Sequence, residues 1–348
     1  MTVAPYPEQA PARRQWIEAR RGPRHKVDPW RPHAFFVEQE CSEDCALVSV
    51  ATIFLTNREC PWRCLMCDLW KNTTTETVPP GAIPAQIDFA LQNLHLRGAR
   101  PASVANDDLH KHTNATEAGR APDKCNWHIK LYNSGSFFDH AAIPPESYSA
   151  IIERVSQFGR VIVECHPKLV SDEVLRFRDL LGTRLEIAMG LETANLEVLA
   201  RLNKGMTLDD FATAAKFLTG NGIAVRAFIL LKPPFTTEDE GVSWAKRSID
   251  FAFDCGVTVA CVIPTRTGNG ALDALEAGEE FSQPHLTSLE EVLDYGISLK
   301  RGRVFADLWD LKRFSDCAAC FQQRKERLHG INLSQQPRAA VTCPNCER

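Results

Sequence analysis

The sequence predicts an α/β fold, a partial barrel of six βα units, and three observations predict it. Short apolar runs rich in β-branched residues recur from Leu47 to Ile263, helix-patterned stretches separate them, and the two alternate throughout. Such alternation makes parallel strands joined by helical crossovers. Periodicity alone leaves a doubly wound sheet open beside the barrel. The 348 residues, 44% hydrophobic and 24% charged, suffice for one large core and a small appended module.

The elements follow in chain order. Residues 1–33 are rich in Pro and Arg, show no clean period and read as an irregular or partly helical lead-in; residues 1–44 are assigned to a basic N-terminal arm. The barrel is assigned to residues 45–310. Its strands are predicted at Leu47–Leu55, His128–Tyr132, Arg160–Val163, Leu185–Met189, Ala224–Leu231 and Val257–Ile263. A helix over Leu208–Leu218 sets Leu208, Phe211, Ala212, Ala215 and Leu218 on one face, and Gly220 and Gly222 supply its stop. Gly98–Asn126 is polar, lacks a strand pattern and carries several His and Asp. It reads as an insertion, either disordered or shielding a site. Residues 311–348 form a small tail module with four cysteines.

The formal charge of −4 is unevenly spread. Residues 1–33 and 311–348 each carry seven Arg or Lys against three acids, so the ends are basic and the middle acidic. Basic ends suit a polyanion such as RNA, or are ordinary solvated tails. No apolar run is long enough to span a membrane, and the first residues lack the apolar stretch of a secretory signal. The expected location is therefore cytoplasmic. Thirteen cysteines, clustered rather than evenly spread, read in a reducing compartment as metal ligands rather than disulfides.

The sharpest pattern is Cys60-Pro-Trp-Arg-Cys64-Leu-Met-Cys67, directly after the first predicted strand. Three thiolates at this spacing each bind one iron of a 4Fe-4S cluster and leave the fourth iron without a protein ligand. A zinc site would want a fourth ligand, which this loop lacks; three unrelated buried cysteines are the other reading. Near the C-terminus, Cys317-Ala-Ala-Cys320 and Cys343-Pro-Asn-Cys346 have the spacing of a four-thiolate zinc ribbon, with a second iron–sulfur cluster as the alternative. Arg313, Arg324, Lys325 and Arg327 lie around these knuckles and either meet phosphates or are solvated. Cys255 and Cys261 are expected in the core.

The Cys60–Cys67 loop resembles the signature of the radical S-adenosylmethionine (SAM) superfamily. That resemblance implies a barrel of the radical SAM type and a cluster that cleaves SAM reductively to a 5′-deoxyadenosyl radical, fed by a one-electron reductant. It also implies SAM-binding roles on the loops after strands. Asn133-Ser134-Gly135-Ser136-Phe137 looks like the small-residue segment meeting the SAM amino group, with Glu164 as a further contact. Glu192 is placed like the residue that reaches the ribose, and Lys204 like a base for the SAM carboxylate. The dull alternatives are turn glycines, a helix cap and surface charge.

Gly190-Leu-Glu-Thr-Ala-Asn195, Asn203-Lys-Gly205 and Leu230-Leu-Lys-Pro-Pro-Phe-Thr236 resemble the archaeosine-forming branch of that superfamily. The resemblance spans roughly residues 45–320 and implies a tRNA substrate, a lysine-adding partner protein and cleavage of a carbon–nitrogen bond on a 7-deazaguanine base. Glu164-Cys-His-Pro167 departs from the expected Glu-Ser-Arg-Pro, and the 98–126 insertion is unusually long. A radical SAM enzyme acting on a small cofactor precursor, and a non-catalytic cysteine-rich RNA-binding protein, are the alternatives. The motifs mark no catalytic residue on the substrate side.

Overall fold

The computed structural model describes residues 5–96 and 127–346; the 98–126 insertion and Cys125 lie outside them. The six predicted strands are present with ends shifted by at most a few residues: β2 (Leu47–Phe54), β3 (Trp127–Tyr132), β4 (Arg160–Glu164), β5 (Arg184–Glu192), β6 (Ala224–Leu231) and β7 (Val259–Pro264). Two further strands flank them, β1 (Ala34–Cys41) and β8 (Arg303–Ala306). The sheet runs in sequence order from β1 to β8, antiparallel between β1 and β2 and parallel thereafter.

Alternation along each strand sorts side chains between two environments. Ala51, Ile53, Ile129, Leu131, Val161, Val163, Ile187, Met189, Val225, Ala227, Ile229, Ala260 and Val262 face the helical layer and join one continuous core. That layer comprises α2 (Ala82–Asn93), α3 (Tyr148–Val155), α4 (Asp172–Leu181), α6 (Leu208–Gly220), α7 (Glu238–Asp254), α9 (Leu286–Leu299) and α10 (Ala318–Ser334), while α1 (Ala10–Glu18) and α8 (Ala271–Ala277) pack in a second cluster with Leu65 and α5 (Leu196–Arg201) contributes to both. Capping boxes start α6 (Thr207 with Asp210) and α7 (Thr237 with Glu240). After α6, Gly222 turns the chain at φ +72°, as the sequence required.

The other face of the sheet is charged, and it decides between barrel and open sheet. Arg226 on β6 donates to Glu40 on β1 at 2.9 Å, although four strands lie between them in the sheet. Only a sheet curled on itself brings those strands together, so the fold is a partial barrel. Arg226 also donates to Glu186 at 2.7 Å, Lys130 bonds Glu38 at 2.8 Å and also pairs Glu40, and Thr52 donates to Glu38 at 2.6 Å. Burial alone would raise the Glu40 carboxyl, but Arg226 and Lys130 overcome it and hold the group far below the carboxylate range.

A seam remains between β8 and β1, and α10 fills it, packing on both strands. The free edge of β8 is satisfied by side-chain amides. Val304 N–H donates to Gln335 Oε1 (2.7 Å) and Ala306 N–H to Asn332 Oδ1 (2.9 Å), while the two amide nitrogens donate back to the carbonyls of Val304 (3.0 Å) and Ala306 (2.9 Å). No helix among the described residues is long and apolar enough to cross a membrane.

Candidate cluster and cofactor site

The Cys60–Cys67 loop leaves the C-terminal end of β2 and is held from several sides. Leu65 is fully buried among Tyr6, Trp16, Ile17, Leu202 and Leu272, and its N–H donates to Leu202 O at 2.9 Å. Asn269 Nδ2 donates to Leu65 O (2.7 Å) and Cys67 O (3.3 Å), and Asn203 Nδ2 to Arg63 O (2.8 Å). Arg63 in turn bonds Cys60 O at 2.7 Å and Glu18 of α1 at 2.7 Å. Trp62 stacks on His166, ring centroids 3.7 Å apart and planes 9° off parallel, while His166 Nε2 bonds Lys204 O at 3.1 Å and Nδ1 accepts from Lys168 N. Backbone on both flanks is thereby tied down, and the three thiols are left as the loop's free chemistry.

Burial pushes the Cys60, Cys64 and Cys67 thiols each up to about 12. Burial outweighs the nearby Lys204, so the unligated thiols keep their protons at neutral pH; a bound metal supplies the positive charge that makes them thiolates. N–H groups of Trp62 and Leu69 point at Cys60 and Cys67 and support that charge.

The loop after β3 lies against this one. A Cβ on Gly135 would stand 2.9 Å from Cys60 Cβ, so only glycine allows the approach. Asn133 N–H donates to Glu164 at 2.8 Å, and the amides of Ser134 and Gly135 also face that carboxylate, with Ser134 at φ +55°. Burial nonetheless raises Glu164 to about 7. Asn133 Nδ2 and Oδ1 and Ser134 Oγ are buried without a hydrogen-bond partner among the described residues. Orphaned polar atoms cost about 1–3 kcal/mol each, so water or a polar ligand completes them. Ser136 is engaged elsewhere: its hydroxyl lies 3.5 Å from Cys165 Sγ and accepts from His166 N.

A bulge in β5 between Gly190 and Glu192, with Glu192 at φ +65°, turns that carboxylate toward Lys204, which it meets at 2.6 Å. A Cβ on Gly190 would stand 2.1 Å from Glu192 Oε1 and 2.3 Å from Lys204 Nζ, so the pair occupies the room glycine leaves. Burial works against the Lys204 charge, but Glu192 outweighs it and raises the ammonium group. The helix cap set against a cofactor role for Glu192 is instead Asn195, which caps α5. Sequence reasoning missed the Trp62–His166 stack, Asn269 and the docking of the N-terminal arm. Only Gly268-Asn269-Gly270, a turn after β7, carried a local signal for one of them.

At the other cysteine group, Cys317, Cys320, Cys343 and Cys346 have their sulfurs all within 4.8 Å of one another. Two neighbouring arginines correct the expectation of solvated or phosphate-binding charge. Arg324 is buried and donates to Cys320 Sγ (3.2 Å) and pairs Glu290; Arg327 is buried against Asp294 (2.7 Å) and Glu290. Lys325 is exposed, and Arg313 reaches Thr267 Oγ1 at 2.8 Å. Cys255 is buried as expected, and Cys261 lies 3.7 Å from Arg226 in the barrel interior.

Partial barrel and three-cysteine loop together have the form of a radical SAM enzyme. Within that class the chain is similar to archaeosine synthase subunit beta, as the motifs indicated. It is 27% identical over 240 residues to that protein of Methanosarcina acetivorans, covering 63% of this chain and 66% of the relative. It is 33% identical over 171 residues to that of Thermococcus kodakarensis, covering 47% of this chain and 53% of the relative. The chain thus spans about half to two thirds of these relatives. Among solved structures, methylornithine synthase matches with a TM-score of 0.48 at 12% identity over 85% of this chain and 68% of that one. No family model matches.

Proposed function

We propose that this chain modifies a 7-deazaguanine base in tRNA by the carbon–nitrogen lyase step of archaeosine formation, acting with a lysine-adding partner subunit. The names of the two relatives support the substrate class. The single structural observation that carries the cofactor half is the unpartnered buried Asn133 and Ser134 beside the cysteine loop.

In this reading Cys60, Cys64 and Cys67 hold the 4Fe-4S cluster, whose chemistry when loaded is one-electron reduction of SAM. The chain's own residues do the rest. Asn133, Ser134 and the Gly135 backbone receive the amino acid end of SAM, with Glu164 supplying negative charge beside its ammonium group. Lys204 meets the carboxylate, and Glu192 orients Lys204 and reaches the ribose hydroxyls. Ser136 acts one step back, fixing the loop after β4. The arm around Leu65 excludes water from the mouth. A low-potential protein or chemical reductant supplies the electron.

The test is anaerobic reconstitution with iron, followed by incubation with SAM and reductant, with and without tRNA carrying the lysine adduct. The expected result is about four irons at this loop, 5′-deoxyadenosine, and adduct cleavage that depends on tRNA. Binding to that tRNA should weaken steeply with salt. 5′-Deoxyadenosine with turnover of a free small molecule and no tRNA effect would replace the substrate; no iron and no 5′-deoxyadenosine would remove the cofactor reading.

A further inference from the structure

We propose that Cys317, Cys320, Cys343 and Cys346 bind a single zinc ion whose task is mechanical, fastening α10 into the seam between β8 and β1. The proposal stands apart from the reading of the barrel mouth. Its first support is size. Four thiolates on one tetrahedral ion at a bond length of about 2.3 Å lie about 3.8 Å apart. The four at the corners of a cubane cluster lie about 6 Å apart. Here the sulfurs all fall within 4.8 Å, with Cys317–Cys343 at 3.9 Å and Cys320–Cys346 at 3.5 Å. That set fits one ion and is too tight for a second cluster.

The second support is the surroundings. Zinc-bound thiolates take hydrogen bonds from an outer shell, and the buried Arg324 Nε donates to Cys320 Sγ while its guanidinium is fixed by Glu290 of α9. With all four positions taken by protein, the ion has no open site for chemistry.

The third support is placement. Cys317 and Cys320 begin α10, whose other end carries Asn332 and Gln335, the side chains bonded to the edge of β8. Cys343 and Cys346 sit at the end of a return segment, residues 335–346, that has no helix or strand of its own. Arg327 ties that segment through the carbonyls of Ala339 (2.8 Å) and Arg338 (2.9 Å), and the missing side chain of Gly330 gives Arg338 its room. The ion closes this loop onto the start of the helix and so clamps it at the end remote from the β8 contacts.

The experiment uses the full chain. Iron and zinc are counted after anaerobic iron reconstitution, and amide hydrogen exchange is followed at Val304 and Ala306. About one zinc should survive reconstitution beside the iron of the Cys60 loop. Cys343→Ser should lose the zinc, keep that iron, and speed exchange at Val304 and Ala306 by about tenfold or more. A second complement of iron in place of zinc would overturn the assignment, and zinc loss with unchanged exchange would overturn the clamp. Should the variant not accumulate, wild-type chain stripped by a chelator and refilled with zinc alone decides: slow exchange restored supports the clamp, and none restored sinks it.

Discussion

The interior of the barrel and its mouth treat polar groups in opposite ways. Inside, Glu40, Glu186, Lys130 and Arg226 are buried and each is paired with opposite charge. At the mouth, Asn133 and Ser134 are buried with polar atoms unmatched, and three thiols are held in surroundings that disfavour their charge. The interior serves the fold, and in the proposed function a ligand completes the mouth.

Four measurements break or sharpen that contrast. Largest is Cys64→Ala, which should abolish 5′-deoxyadenosine formation and strip the loop of its cluster while far-ultraviolet circular dichroism stays unchanged, because the loop adds no helix or strand to the sheet. Next, Arg226→Met should destabilise the fold by about 3–5 kcal/mol in denaturant unfolding, since it leaves buried Glu40 with Lys130 alone and buried Glu186 with only the longer contacts of Arg160 and Arg303. Replacing Arg226, Glu40 and Glu186 together by apolar residues should recover most of that loss. Third, Asn133→Ala should do the reverse of Arg226→Met. The fold should gain up to about 1–3 kcal/mol in the absence of SAM, because an orphaned group is gone, while SAM binds about tenfold or more weaker by calorimetry. A destabilised Asn133→Ala would mean that the mouth is ordinary core.

The smallest effect is on pH. Glu164 titrates near 7 in the fold and near the ordinary value of 4.5 when unfolded, so between those values the folded state holds the extra proton. Its contribution to stability is therefore present at low pH and lost as pH rises from about 4.5 to about 7. Glu164→Gln should flatten that part of the stability profile. SAM affinity of the parent chain should rise over the same interval as the carboxylate forms, and an affinity independent of pH there would deny Glu164 its contact with the ammonium group.

The parts of this plan legible in the sequence were those encoded locally. Six strands showed as apolar runs because one face of each joins the helical core, and the two cysteine groups showed through spacing. β1 did not show, because Ala34–Cys41 carries three consecutive polar residues, Glu38, Gln39 and Glu40. Those glutamates face inward for the sake of Lys130 and Arg226, partners 92 and 186 residues away. β8 is four residues long and has its edge satisfied by side chains of α10, which no strand pattern anticipates. Arg324 and Arg327 read as surface charge for the same reason: Glu290 and Asp294 lie on another helix. Asn133 was in view as part of a motif, but its lack of a partner is a property of the folded loop.

The docking of the N-terminal arm also bears on timing. Tyr6, Trp16 and Ile17 precede the cysteine loop in the chain, yet the shell they complete around Leu65 includes Leu272, Leu275 and Phe281. Tyr6 Oη bonds Arg201 O across 195 residues of sequence. During synthesis the cysteine loop therefore emerges before Leu272, Leu275 and Phe281 can complete its cover, and the mouth stays unfinished until they are out. Closure of the arm is a late event in the life of the polypeptide, and iron delivered before it meets an open doorway.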